Sequence, residues 1–224
     1  MPDQRDTVWN FADLGFFLGA ILPTAVVASL ATRSIESTAA RGLVYQSILY
    51  VLMVSVLYVL AHVIHGVRFG DSINWTLQFK GAWYCVFGAP VLALTISVLG
   101  VLLGAPLIPS AVDNLTASDI PLPIVAVFAV ILGPLFEEIV FRGFLQPLLQ
   151  KRAGQWLGLI VTSAVFSLLH GSQNEWLWQY LLLLFLAGLA FGITRQRTGS
   201  TAASFLLHMG FNLTPLTTSI IARS

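Results

Sequence analysis

Pro134-Leu135-Phe136-Glu137-Glu138-Ile139-Val140-Phe141-Arg142 sets two adjacent carboxylates and a guanidinium inside a largely apolar run over residues 120–149. A helix turns about 100° per residue, so Glu138 and Arg142, four apart, share a face, while Glu137 points away from that pair. Glu138 therefore has an intrahelical partner and Glu137 has none. A charged side chain at the centre of a bilayer costs roughly 2.5–3.5 kcal/mol on insertion scales, so these groups require partners or a wet cavity. The segment is a candidate site on that ground alone.

The surrounding chain supports a membrane setting. Of 224 residues, 57% are hydrophobic and 9% are charged, against about 25% charged in a typical soluble domain. Net charge is +1, and no basic patch is present that could neutralise phosphates, which excludes nucleic acid as a partner. Cys85 is the single cysteine, which excludes an intrachain disulfide and a thiolate metal cluster. The first thirteen residues hold three acids and one arginine before a long apolar run, a pattern unlike a cleavable signal peptide.

A span needs about 20 mostly apolar residues. That ruler predicts seven helices, over residues 11–31, 43–65, 82–103, 120–149, 156–169, 176–193 and 202–221. The fifth is short unless it begins near Ala153 and passes His170; the fourth holds Gly133-Pro134 at its middle, predicting a bent span or two half-helices. The longest connection, 104–119, carries two prolines and two acids and is expected to cap one face. Trp75 and Trp83, then Trp176 and Trp178, are placed as interfacial anchors. No repeat or composition shift divides the chain. The expectation is an all-α polytopic bundle of about seven membrane helices, one transmembrane domain over residues 1–224.

Arg5, Arg68, Lys80, Lys151, Arg152, Arg195 and Arg197 fall on the N-terminal side of a seven-helix path, against Arg33, Arg41 and Arg223. Seven against three predicts a cytoplasmic N-terminus and an external C-terminus.

Two later helices carry further polar groups. Phe166-Ser167-Leu168-Leu169-His170-Gly171 ends one, and His208-Met209-Gly210-Phe211-Asn212 lies within another. His208 and Asn212, four apart, face the same way. A carboxylate, two imidazoles and an amide around one cavity can activate a water and stabilise an oxyanion. Taken singly, each has a plainer reading as a clasp or as interhelical glue. His62 and His65 share a face but lie at a span end, and are read as interfacial histidines. Gly188 and Gly192 are read as a small-residue packing face. The chain contains no phosphate-cradling Gly-rich loop, no HExxH and no Gly-x-Ser-x-Gly.

Glu137-Glu138-x-x-x-Arg142, Phe166-x-x-x-His170 and His208-x-x-x-Asn212 together resemble the motifs of the CAAX protease and bacteriocin-processing family, the type II CAAX prenyl endopeptidases and their bacterial relatives. Arg197-Thr198-Gly199-Ser200 is similar to the family's closing motif, and the resemblance covers residues 134–215. It implies an intramembrane endopeptidase in which Glu137 with His170 activates the attacking water, His208 with Asn212 forms the oxyanion hole, and Glu138 with Arg142 holds the helix. It also implies a multi-pass protein of a prokaryotic plasma membrane and a peptide or protein substrate, prenylated or membrane-associated. No cofactor is favoured. Zinc held by Glu137, His170 and His208 is the alternative, weakened because no two of them share the close spacing that anchors zinc on one helix. One departure stands out: the family's prenyl endopeptidases work from the cytoplasmic side, whereas the charge count places His170, eighteen residues after Arg152, near the outer face. A proton-coupled transporter using Glu137 as relay, and a non-catalytic scaffold or immunity protein, are the readings from other classes.

Overall fold

The computed structural model describes residues 7–78, 82–108 and 111–223, without the side chains of 82–83, 111–113 and 218–223. Arg5 and Lys80 lie outside the described residues, as do the side chains of Trp83 and Arg223. The described residues form an all-α polytopic bundle: α1 (Phe11–Thr32), α2 (Thr38–Ile64), α3 (Phe69–Ser72), α4 (Ala82–Leu102), α5 (Ala111–Thr116), α6 (Leu122–Ala153), α7 (Gln155–Leu169), α8 (Trp178–Thr198) and α9 (Thr201–Arg223). α1, α2, α4, α6 and α8 are long and apolar enough to cross a membrane.

Helix α6 runs through Gly133-Pro134 without a break. Its hydrogen bonding widens to the π pattern over Phe128–Leu132, returns to α at Gly133, and widens again over Ile139–Leu145. The long span is therefore one helix with two π turns, not two half-helices: the first π turn ends at Leu132 and the helix passes Pro134 without a break. α7 does not lengthen as a full span would require. Gly154 (φ 87°) separates it from α6, and a turn at His170-Gly171 ends it. Trp176 precedes α8 in a left-handed conformation (φ 56°) over Gly171, where a Cβ would meet its ring at 2.5 Å. The 104–119 connection contributes the short α5, whose Asn114 and Leu115 line a cavity of the bundle.

The end of the bundle away from that cavity is pinned by polar groups on apolar scaffolding. Asn10 caps α1 and forms a reciprocal capping box with Asp13. Asp13 also receives His65 Nε2 at 3.0 Å, and His62 lies against Tyr58, so the two histidines serve separate contacts. Trp9 is fully buried, and its Nε1 donates to the carbonyls of Ser72 (3.1 Å) and Gly143 (3.0 Å).

Gly188 and Gly192 behave as the predicted packing face: α8 meets α7 there, and a Cβ on Gly188 would press Phe166 and Ser163 at 3.3 Å. Bare backbone at these glycines also exposes carbonyls. Arg142 Nη2 donates to Gly188 O (3.0 Å) and Gln146 Nε2 to Gly192 O (3.2 Å), tying α6 to α8. Gly199 (φ 70°) caps α8, and Ser200 and Thr201 donate to Thr76 O (2.5 Å) and Ile73 O (2.6 Å). The Arg197-Thr198-Gly199-Ser200 turn thus fixes where α9 begins, and with it the height of His208.

Candidate active site

The middle of α6 delivers Glu137 and Glu138 to two different neighbourhoods. Glu138 and Arg142 have no solvent exposure. Glu138 Oε1 lies 3.2 Å from Arg142 Nη1 and accepts from His208 Nδ1 at 2.9 Å, while Oε2 accepts from Ser204 Oγ at 2.6 Å. The pair expected within one helix exists, and its carboxylate also fastens α6 to α9. Arg142 lies over the ring faces of Phe166 (4.8 Å) and Phe191 (5.4 Å), which stabilise a desolvated cation electrostatically.

Glu137 faces the cavity, with 16% of its side chain exposed. Its Oε1 lies 3.7 Å from His170 Nε2 and its Oε2 lies 3.7 Å from His208 Nε2. One carboxylate oxygen addresses each imidazole, at separations too long for a direct hydrogen bond and suited to a bridging water.

Both rings have their tautomer set from behind. His170 Nδ1 donates to Phe166 O at 2.8 Å and His208 Nδ1 to Glu138. A carbonyl or carboxylate only accepts, so Nδ1 carries the proton in each, and a neutral ring turns its Nε2 lone pair toward Glu137. Phe191 stacks on His208 at 4.2 Å and Phe166 packs on His170 at 4.6 Å, leaving neither ring free to rotate.

Asn212 lines the same cavity. Its Nδ2 donates to Ala129 O at 3.0 Å. The first π turn of α6 explains that bond: Gly133 N–H reaches Phe128 O, and Ala129, the next carbonyl in the pattern, would need an N–H that Pro134 lacks. Asn212 supplies the missing donor from α9 and keeps one amide N–H for the cavity. Replacing Asn212 with leucine is expected to lower stability by roughly 1 kcal/mol through the orphaned carbonyl, and Asn212→Asp by more, since a carboxylate cannot donate. Thermal unfolding in detergent measures both.

The cavity has a volume of about 780 Å³ and reaches from Glu137, His170, His208 and Asn212 to Thr38 and Gln173 at one end of the bundle. All four residues proposed from the sequence for the chemistry therefore border one space, and Glu138 and Arg142 stand directly behind it. Residues 119–214 match the family model described as Type II CAAX prenyl endopeptidase Rce1-like. A relative from Escherichia coli, called "Uncharacterized 24.3 kDa protein", is 32% identical over 136 residues, 59% of this chain and 62% of that protein's length. No solved structure matches.

The matched segment holds α6 to α8, the part of α9 up to Thr214, and every motif residue named above. It also holds two residues that sequence reading passed over. Ser204 is buried against Glu138, one turn before His208 on the same face, a spacing that could have revealed it. Phe191 sits between the packing glycines, buried against the ring of His208. Outside the segment, Tyr50 on α2 closes another cavity wall, stacked on Phe136 with ring centroids 3.9 Å apart.

Proposed function

We propose that the protein is an intramembrane endopeptidase that hydrolyses a peptide bond with a water activated by Glu137 and His170. The observation that carries this reading is the placement of Glu137 between two imidazoles whose Nε2 atoms each face one of its oxygens at 3.7 Å. A water in that gap gives one hydrogen bond to the Glu137 carboxylate and the other to His170 Nε2. Glu137 takes its proton as the oxygen attacks the carbonyl carbon, then passes that proton to the leaving amine. His208, as an imidazolium held by the Glu138 carboxylate, donates Nε2–H to the developing oxyanion, with the remaining Asn212 N–H beside it. Among the described residues lining the cavity, Glu137 is the only Asp, Glu, Lys or Arg. Among the described residues no Lys or Arg lines the cavity to receive a free C-terminal carboxylate, which favours cleavage inside a chain over trimming of its end.

Glu137, His170 and His208 are also the donors a zinc ion would use. Tetrahedral zinc with bonds of about 2.0–2.1 Å sets its ligand atoms roughly 3.3–3.4 Å apart. Here the carboxylate stands between the rings at 3.7 Å on both sides. Among the described residues no group of three His, Cys, Asp or Glu closes into a metal site. The fit is poor, and no step is routed through a metal.

Purified protein in detergent or liposomes, offered a library of neutral and apolar peptides, is expected to release internal cleavage products at an unchanged rate with excess chelator. Cleavage that stops with chelator and returns with zinc would overturn the metal-free reading. A library left intact by the parent protein would overturn the peptidase reading.

A further inference from the structure

We infer that the active-site cavity opens on the non-cytoplasmic face of the membrane, and that its substrate is a polypeptide segment presented from that side. The word substrate rests on the peptidase reading above; the sidedness stands on geometry and charge. Glu137 lies halfway along the 32-residue α6. From there the cavity runs to Thr38 at the start of α2, Asn114 in α5, Gln173 and Asn174 after α7, and Pro215 in α9. Successive spans alternate in direction, so these residues lie at one end of the bundle. The other end holds Trp9, α3, the α6–α7 turn at Gly154 and the α8–α9 turn at Gly199.

Basic residues gather at the end away from the mouth. Arg68, Lys151, Arg152, Arg195 and Arg197 lie there, and Arg5 and Lys80 join them by chain position; the mouth end has Arg33 and Arg41, joined by Arg223. Arg195 is buried and donates to Thr201 Oγ1. Without it the ratio is still two to one. Lys and Arg in short connections stay cytoplasmic, so the basic end is the cytoplasmic one and the mouth faces out.

The mouth suits an unfolded peptide. Gln46, Asn114, Gln173 and Asn174 offer neutral amides that can pair with an extended backbone, between apolar walls such as Leu43 and Phe211. The chemistry points to an exported peptide, or the external juxtamembrane stretch of another membrane protein. A cytosolic protein's C-terminal tail cannot reach such a mouth.

Single cysteines in a Cys85→Ser background test the sidedness in intact cells. Ser34→Cys and Gln173→Cys mark the mouth end; Asp71→Cys marks the opposite end on an exposed acid that contributes little to orientation. A membrane-impermeant maleimide is expected to label Ser34→Cys and Gln173→Cys in intact cells, and Asp71→Cys only after permeabilisation. The reverse pattern, or equal labelling at both ends, overturns the inference. Peptide cleavage by the purified protein is read separately. Labelling on the wrong side thus sinks the orientation alone, and absent cleavage sinks the activity alone.

Discussion

Glu137→Gln is expected to lower kcat for peptide cleavage by on the order of 10³, with the melting temperature close to that of the parent protein. Glutamine has the same shape and can still hold a water, so the substitution removes the proton acceptor and little else. Stability should survive because Glu137 takes no part in the buried cluster. Its oxygens stand 3.7 Å from both rings, and the interhelical bonds run through Glu138 instead. His170→Ala is expected to reduce kcat comparably, since it deletes the second acceptor for the same water. Product formation by mass spectrometry beside a thermal melt separates chemistry from folding. Glu137→Gln retaining more than about a tenth of parental activity would contradict the assigned role, because general-base catalysis alone contributes about 10²–10⁴. A silent scaffold predicts that the same variant keeps its cellular phenotype, and a proton relay predicts that it stops proton flux while peptides stay uncut.

What could be read from the chain depended on whether the signal was local. The spans were legible because bilayer thickness fixes their length, and the structure moves their ends by only a few residues at most positions. The Glu138–Arg142 pair was legible because four residues make one turn. The division between a paired and an unpaired acid followed from the same arithmetic. By contrast, the two π turns of α6 shift hydrogen bonds by one residue and leave no mark in composition. Gly133-Pro134 flagged an irregularity there without showing its form. Asn212 was placed in the site, but its bond to Ala129 could not be foreseen, since it depends on which carbonyl the proline leaves bare. The bonds from Glu138 to Ser204 and His208 were illegible for a different reason. They link residues more than sixty positions apart, and only the docking of α9 brings them together.

Glu138→Gln is expected to destabilise the protein by roughly 3–5 kcal/mol, seen as low yield and a lower melting temperature, because it removes the carboxylate paired with the buried Arg142 cation. The rings of Phe166 and Phe191 and the Gly188 carbonyl still face the guanidinium, but none carries a formal negative charge. Removing both charges should separate two roles that Glu138 combines. The double variant Glu138→Gln with Arg142→Met buries no unpaired ion, and most of the lost stability should return, as when buried ion pairs are exchanged for neutral groups of similar size. Activity should not return with it. His208 Nδ1 would then meet a neutral amide oxygen in place of a carboxylate, and its imidazolium form, the one that can donate from Nε2, would lose its countercharge. A deficit in kcat of about 10²–10³ is expected to remain, the range seen when one oxyanion donor is lost. A stable double variant with parental activity would show that Glu138 serves only as a clasp. A Glu138→Gln protein as stable as the parent would show that Arg142 does not depend on it. Ser204→Ala sets the scale for the smaller contacts, at about 1.5–3 kcal/mol for a hydrogen bond to a charged group, and should leave the alignment of His208 in place.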